Sequence, residues 1–280
     1  MKKRISTIAL IVVFLAGLSL LLYPSVSNWW NQYHSSHAIA DYTEKLQQLD
    51  SDECARLLRA ASAYNDALRK KLTPALTDEE RADYEALLNV TGDGIMGHVE
   101  IPSIGVSLPI YHGTDTEILQ VAVGHLDWTS LPVGGESTHC VLSGHRGLPS
   151  ASLFTDLDRM VVGDVFTITV LNETLTYEVD RILIVEPEDA SALTIEEGRD
   201  LCTLLTCTPY GINSHRLLVR GHRIENAAKT ANLTADAVQL EPLIVAPVIA
   251  MPILLVLLMF LLCTGKKKKP TGGTHHDKTR

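Results

Sequence analysis

The chain has 280 residues, 46% of them hydrophobic and 20% charged, and its formal net charge is −9 at pH 7. An acidic chain is a poor partner for nucleic acid, because binding to phosphates requires clustered cations. Composition and charge therefore exclude nucleic acid as a partner.

The N-terminus carries an uncharged, apolar run of 19 residues, Ile5–Tyr23, directly after three basic residues. At about 1.5 Å per residue a helix of this length spans roughly 28 Å, which matches the hydrocarbon core of a bilayer. The triplet Ala38–Ala40 resembles a signal-peptidase site but lies too far downstream for ordinary cleavage. We predict a cytoplasmic tail and an uncleaved signal-anchor helix over residues 1–23.

A second apolar run, Pro242–Cys263, precedes four consecutive lysines at 266–269. Basic residues that flank a membrane span remain on the cytoplasmic side. The sequence therefore predicts a multi-pass protein of the cell membrane with both termini inside, a linker over 227–241, a transmembrane helix over 242–263 and a basic tail over 264–280. A buried core helix is the alternative for either run, and the charge blocks at both outer ends disfavour it.

The exported part, residues 24–241, is strongly acidic. The two tails hold nine of the 24 basic residues and one of the 33 acidic residues, which leaves 15 bases and 32 acids outside, a net charge of −17. Such an excess is typical of a solvated acidic surface.

Residues 24–91 are predicted to be mainly helical. Between His37 and Leu72 apolar residues recur at steps of three and four, with an interruption at residues 49–52, which indicates two amphipathic helices. Thr77–Glu80 has the pattern of a capping box, which predicts a third, short helix.

After Gly94 the pattern changes to short β-branched runs separated by turns. Apolar residues alternate on both sides of Asn172-Glu173, which indicates a β-hairpin with one buried face. Seven or so strands within about 130 residues, with scattered helical stretches such as Glu117–Val123, indicate a closed or sandwiched β domain large enough to bury a core. The predicted strands are Ile95–Ile101, Val106–Tyr111, His139–Ser143, Val165–Leu171, Leu175–Val185, Leu201–Cys207 and Arg216–Ile224.

Five cysteines are present, at positions 54, 140, 202, 207 and 263. Outside the cell, disulfides are the first possibility to test. Cys202 and Cys207 lie on opposite faces of one predicted strand and about 16 Å apart, so they cannot pair with each other. The spacings do not resemble a disulfide framework, but the sequence leaves a long-range pairing of Cys140 open.

Cys207 is the candidate nucleophile. It ends an apolar, Thr-rich strand, and the return strand begins at Arg216, so a hairpin would place the two residues opposite each other. A nearby cation favours the nucleophilic thiolate form of a cysteine, and an arginine can also hold a developing oxyanion. A buried cysteine beside a surface arginine is the alternative that this pair alone leaves open.

A third group is needed as acid and base, and histidine is the expected type. His145 is the strongest candidate, because it directly follows a predicted strand and lies between two glycines, Gly144 and Gly147, that allow another backbone to approach closely. His215 is the second candidate, but it should point to the opposite side of its strand from Arg216.

These motifs resemble the signatures of sortases, the cysteine transpeptidases of Gram-positive cell surfaces. The family pattern T-L-x-T-C is matched by residues 203–207, and its distal arginine by Arg216. The segment V-L-S-G-H-R-G, which contains His145, and further stretches extend the similarity over roughly residues 92–224. The similarity is greatest to class C, the pilus-polymerising branch, and the two predicted spans also fit that branch.

The resemblance implies a mainly β fold, with a closed eight-stranded sortase-type barrel over residues 92–226, an N-terminal helical segment and a transmembrane helix at each end. It implies that Cys207 attacks the Thr–Gly bond of an LPxTG-like sorting signal and forms a thioester, which a lysine amine then resolves. His145 would protonate the leaving amine, and Arg216 would stabilise the oxyanion. No metal or organic cofactor is required.

Substrate-binding contributions are expected from Thr206, Ser143 and Leu205. The expected partners are LPxTG-bearing pilins or other surface proteins, the lysine amine of a pilin subunit or of a peptidoglycan precursor, and membrane lipid. Class C sortases commonly carry a lid with an Asp-Pro-aromatic triplet before the barrel, but the corresponding region here reads Thr73-Pro74-Ala75, and no Asp-Pro occurs in the chain. A self-inhibiting lid over segment 73–94 is therefore not expected to be strong.

Three alternatives share part of this pattern. A secreted thiol peptidase would use the same three residues and transfer to water. A housekeeping-type sortase would share the chemistry and transfer to peptidoglycan precursor. A non-catalytic, membrane-anchored β module would leave the Cys–His–Arg set unexplained.

Overall fold

The computed structural model describes residues 2–71 and 75–226. Among the described residues, 2–25 and 26–226 belong to two separate compact units. The predicted linker, second span and basic tail lie outside the described residues, as do residues 73 and 74 of the possible lid over 73–94.

Three helices precede the β domain: α1 (Lys2–Leu46), α2 (Ser51–Arg69) and α3 (Asp78–Ala86). α1 is one uninterrupted helix that contains Pro24. By length and composition, α1 holds the one segment of the described residues that could cross a membrane, with a mean hydropathy of 2.4 over its most apolar 18 residues.

Local side-chain caps set the starts of α2 and α3. Asp50 caps α2, because its carboxylate accepts a hydrogen bond from the Glu53 N–H at 2.7 Å. At α3 the Glu80 N–H donates to Thr77 Oγ1 and the Thr77 N–H donates to the Glu80 carboxylate. The predicted interruption near residues 49–52 and the predicted capping box are both confirmed.

Eight strands form a closed barrel in the order β1-β2-β3-β4-β7-β8-β6-β5. The β2–β3 and β4–β7 pairs are parallel and the other pairs are antiparallel. The strands are β1 (Ile95–Ile101), β2 (Val106–His112), β3 (Val123–His125), β4 (Thr138–Ser143), β5 (Val165–Val170), β6 (Glu173–Val185), β7 (Asp200–Thr208) and β8 (His215–Ile224). The predicted closed eight-stranded barrel is confirmed.

β3 is the strand that the sequence pattern did not predict. The helical stretch predicted over Glu117–Val123 is only partly correct, because the short helix α4 covers Thr116–Leu119 and Val123 already begins β3. All three residues of β3 are buried. A strand of three buried residues shows no alternation of apolar and polar positions, so periodicity cannot reveal it.

Tyr42 anchors the C-terminal part of α1 to the barrel. Its side chain is 1% exposed, and its hydroxyl donates to the Met96 carbonyl at 3.0 Å and accepts from the Leu171 N–H at 2.8 Å. The hydroxyl therefore ties β1 and the β5–β6 turn to one helix. A buried hydroxyl with both a donor and an acceptor partner avoids the cost of an unsatisfied polar group.

Candidate active site

The β7–β8 hairpin places Cys207 directly opposite Arg216. The two residues are register partners in the antiparallel pair, as the sequence predicts. Side chains alternate along a strand, so Leu205 and Cys207 share the outer face of β7 while Cys202 and Leu204 point into the barrel. This division agrees with the packing, because Leu205 lies in the outer apolar cluster and the other two lie in the main core.

His145 lies at the same end of the sheet as this pair. β4 and β7 run parallel with Ser143 opposite Leu205, and the Gly144 N–H then donates to the Leu205 carbonyl at 3.0 Å. Thr206 Oγ1 donates to the Gly144 carbonyl at 2.7 Å, which fixes the backbone directly before His145. Extending this register by two residues would set His145 level with Cys207, and the joint catalytic role of these two residues with Arg216 stays a prediction.

Gly144 is required by the close packing at this point. A Cβ atom at residue 144 would lie 2.7 Å from the Phe154 ring, which is closer than real Cβ contacts come. The Phe154 N–H donates to the His145 carbonyl at 3.1 Å, so the loop after β4 folds back on itself. The glycine that marked this motif in the sequence therefore lets the loop carrying His145 fold tightly.

Arg216 presents a cation that no carboxylate neutralises within the described part of the chain. Its Nη1 donates to the carbonyls of Asn213 and His215, at 3.3 and 3.1 Å. These contacts hold the guanidinium at the mouth of the hairpin and leave its other nitrogens for a bound group. An arginine in this position can hold an oxyanion or a substrate carbonyl.

His215, the second histidine candidate, is engaged elsewhere. It pairs with Thr208 in the hairpin, on the face opposite to Arg216. Its Nε2 lies 3.2 Å from a Glu186 carboxylate oxygen and its Nδ1 lies 2.8 Å from Ser214 Oγ. His215 thus lies at the same end of the sheet as Cys207, but on the opposite face of its strand.

A cleft of about 340 Å³ on the outer face of the sheet is lined in part by Arg216. Two of the three residues predicted to bind substrate, Ser143 and Leu205, line this cleft. Thr206 does not line it: its side chain is 1% exposed, and its hydroxyl supports Gly144 instead. The other lining residues are Thr114, Leu119, Leu126, Trp128, Val185, Pro187, Asp189, Ala190, Leu193 and Leu218. Most of the wall is apolar, which suits an extended peptide with aliphatic side chains.

One wall of the cleft is the segment 186–199 between β6 and β7, and a network of ion pairs fixes it. The Arg220 side chain, 6% exposed, donates to the Glu196 carboxylate at 2.6 Å and makes two hydrogen bonds of 2.9 Å with Asp180. Arg199 contacts the same two carboxylates, at 3.0 and 2.9 Å. Burial alone would raise the pKa of Asp180, but the hydrogen bonds from Arg220 and Arg199 outweigh it and lower the pKa.

Arg146 is a residue near the site that sequence reasoning missed. Its side chain is 8% exposed and pairs with Asp158, while Nη1 donates to Thr208 Oγ1 at 3.3 Å. The guanidinium also lies 6.0 Å from the centre of the Tyr210 ring. Arg146 therefore connects the loop that carries His145 to the end of β7 and to the β7–β8 loop. Its position beside His145 is the one sequence signal that could have identified it.

The region predicted as a possible lid packs away from the cleft in its described part. In α3, Tyr84 is 1% exposed, and its hydroxyl lies 3.0 Å from His125 Nδ1. Leu76 and Leu87 pack against the main core. No residue of 75–94 lines the cleft. The described part of this region is thus attached to the core through a few apolar side chains.

No group of three or more His, Cys, Asp and Glu side chains within residues 2–71 and 75–226 is arranged to hold a metal ion. The expectation that catalysis needs neither a metal nor an organic cofactor stays a prediction.

Residues 99–224 match the family described as the sortase domain. Among solved structures, the chain is 48% identical to sortase C1 of Streptococcus agalactiae (TM-score 0.66, 68% of this chain and 100% of that chain). It is 45% identical to a Streptococcus pneumoniae sortase C (TM-score 0.61, 69% and 98%), whose structure is described as informing pilin substrate specificity. Sortase D of Bacillus subtilis is 32% identical over 131 residues, which are 46% of this chain and 63% of that protein, so the match spans less than two thirds of that relative. With this similarity, a closed barrel, and Cys207 opposite an arginine that lines the cleft, the chain belongs to the sortase family of cysteine transpeptidases.

Proposed function

We propose that this protein is a class C sortase that polymerises pilins on the outer side of the cell membrane. It would cleave an LPxTG-like sorting signal between Thr and Gly and transfer the threonyl group to a lysine amine of another pilin subunit. Class C relatives, one of them described through its pilin specificity, support this choice over the anchoring of proteins to peptidoglycan precursor.

The observation that carries the proposal is the pairing of Cys207 with Arg216, whose side chain lines a mainly apolar cleft. The aliphatic part of a sorting signal would lie along Leu205 and Leu218, and the scissile carbonyl would then reach Cys207. Because Arg216 has no carboxylate partner among the described residues, its charge remains available where the oxyanion forms.

In the first half-reaction His145 holds the proton of the Cys207 thiol, the thiolate sulfur bonds to the threonine carbonyl carbon, and the carbonyl oxygen becomes an oxyanion held by Arg216. The C–N bond to glycine then breaks, and His145 gives a proton to the leaving amine. This leaves a thioester on Cys207. In the second half-reaction a neutral lysine amine attacks the thioester carbon, His145 takes up its proton, and the thiolate leaves as an isopeptide bond forms.

The proposal includes a membrane-anchored arrangement. Residues 1–23 would form the cytoplasmic tail and signal anchor, residues 24–91 an extracellular helical segment and residues 92–226 the catalytic barrel. The apolar part of α1 supports the first span. The second span over 242–263 rests on the sequence pattern alone.

Product analysis tests the proposal. The full-length protein in detergent is incubated with an LPxTG peptide and a pilin domain, and the products are identified by mass spectrometry. We expect an isopeptide between the threonine and a pilin lysine, with Cys207→Ala as the inactive control. Transfer to water alone would indicate a thiol peptidase, and transfer only to a peptidoglycan precursor amine would indicate a housekeeping role. Either result would contradict the pilus assignment.

A further inference from the structure

Two cysteines that the catalytic mechanism does not use, Cys140 and Cys202, lie side by side in the barrel interior. They are direct register partners in the parallel β4–β7 pair. Their exposed fractions are 3% and 0%, both belong to the main apolar core, and both carry free thiols. The sequence left a long-range pairing of Cys140 open, and the parallel register supplies the partner.

The backbone geometry at this pair is compatible with a covalent link. Neighbouring strands lie about 4.8 Å apart, within the span of roughly 4.4–6.8 Å between the Cα atoms of a disulfide. Both side chains point to the same face, because both residues occupy inward positions of their strands. The two thiols also contact each other: burial, and then the hydrogen bond with Cys140, raise the pKa of Cys202 well above its usual value. Cys207, by contrast, occupies the outer face.

We propose that Cys140 and Cys202 form a disulfide in the exported protein and thereby cross-link β4 to β7. Two S–H bonds break, one S–S bond forms and two protons are released. The two electrons pass to a second disulfide, carried by an extracellular oxidoreductase or a small molecule, which becomes two thiols. Because both sulfurs are buried in the folded barrel, the exchange takes place while the chain folds outside the membrane.

The cross-link has a specific place relative to the candidate site. Cys140 on β4 precedes His145 in the following loop by five residues, and Cys202 precedes Cys207 by five residues on β7. A bond between the cysteines therefore fixes the same register that sets His145 level with Cys207. A slip of β7 against β4 would separate the two groups, and the disulfide prevents it. The cross-link does not depend on which amine accepts the substrate.

Thiol trapping tests the disulfide directly. Membranes that contain the full-length protein are quenched with acid, and the protein is unfolded and alkylated without reductant before peptide mass spectrometry. We expect Cys140 and Cys202 to appear unlabelled in one cross-linked peptide, while Cys54 and Cys207 are labelled. In Cys202→Ala, Cys140 should become labelled without reductant, and Cys54→Ala should leave the cross-link intact. Labelling of both cysteines in the unreduced wild type would overturn the proposal.

Thermal unfolding tests the stabilising role. A link that closes a loop of about 60 residues should raise the Tm, so reductant should lower the wild-type Tm by roughly 5–15 °C. The double variant Cys140→Ala/Cys202→Ala should show no such shift. An equal shift in both proteins, or none in the wild type, would overturn this role. Neither measurement uses transpeptidation, so failure here is distinct from failure of the proposed function.

Discussion

Replacing Arg220 with leucine should loosen the wall of the cleft without removing a reacting group. The buried guanidinium makes three hydrogen bonds to Asp180 and Glu196, and through Glu196 it holds the segment 186–199 against the barrel. In Arg220→Leu both carboxylates keep only Arg199 as a cationic partner. The segment would still be present, but its position would be less well defined.

The size of the effect follows from burial. Breaking a buried ion pair costs about 3–5 kcal/mol of unfolding free energy. Glu196 is 40% exposed and Arg199 remains, so we reduce the expected loss to about 1–3 kcal/mol. This corresponds to a fall in Tm of roughly 2–10 °C for a domain of this size. In Arg220→Leu, part of the substrate's binding free energy would be spent on ordering the loosened segment. If this cost is about 1.4 kcal/mol, KM rises about tenfold while kcat changes less.

The pH dependence supplies a second readout. The pKa of Asp180 is lowered in the folded protein, so its contribution to stability is present above the carboxyl pKa of the unfolded chain, about 4, and is lost as the pH falls. Acidification below about pH 4 should therefore destabilise the wild type more steeply than Arg220→Leu.

Transpeptidation kinetics and thermal unfolding measure both effects, with Arg181→Leu as the matched control. Arg181 is exposed and is the register partner of Arg220 on β6, so the control makes the same change of charge without breaking an ion pair within the described residues. Equal losses in the two variants would refute the reasoning. So would a fall in kcat with an unchanged KM.

Four further outcomes are expected. Cys207→Ala should abolish thioester formation, seen as a mass adduct, while the circular dichroism spectrum stays unchanged; residual transfer would contradict its role. His145→Ala should lower the transpeptidation rate as much as Cys207→Ala, the double variant should be little slower than either, and His215→Ala should have a mild effect. Additive losses of rate in the double variant would show that His145 does not act together with Cys207. Leu76→Ala should leave the alkylation rate of native Cys207 unchanged, and a many-fold faster rate would show that this region shields the thiol. Arg146→Met should lower kcat/KM about tenfold by loosening the His145 loop, with partial rescue in Arg146→Lys; unchanged kinetics would exclude a positioning role.

The strands with alternating patterns were predictable from the sequence, and β1 was predicted to the residue as Ile95–Ile101. The pairing of Cys207 with Arg216 was also predictable, because a short loop between two strands makes them antiparallel neighbours. Both inferences depend only on residues that are close together in the sequence. β3 was missed because it has three buried residues, and the continuity of α1 through Pro24 was not predicted, because a proline usually interrupts or kinks a helix.

Other features depend on contacts between distant parts of the chain. The parallel register of β4 and β7 joins residues 62 positions apart, so the proximity of Cys140 and Cys202 could not be read from spacing. Arg220 and Asp180 are 40 residues apart, and each resembles an ordinary surface charge in the sequence. Arg146 was overlooked for the same reason. Long-range pairs of this kind become visible only when the sheet order is known.

Closure of the barrel has a consequence for how this protein can recognise a peptide. Many proteins that bind extended peptides add them to the free edge of a sheet, so that main-chain hydrogen bonds supply the affinity whatever the sequence. Here β1 pairs with β5, so within the described residues every strand of the barrel has a neighbouring strand on both sides over at least part of its length. A peptide in the cleft would therefore be held mainly through its side chains and a few polar groups. The affinity for a peptide then depends on its side chains, because a peptide with the wrong side chains cannot compensate through main-chain hydrogen bonds to a strand edge.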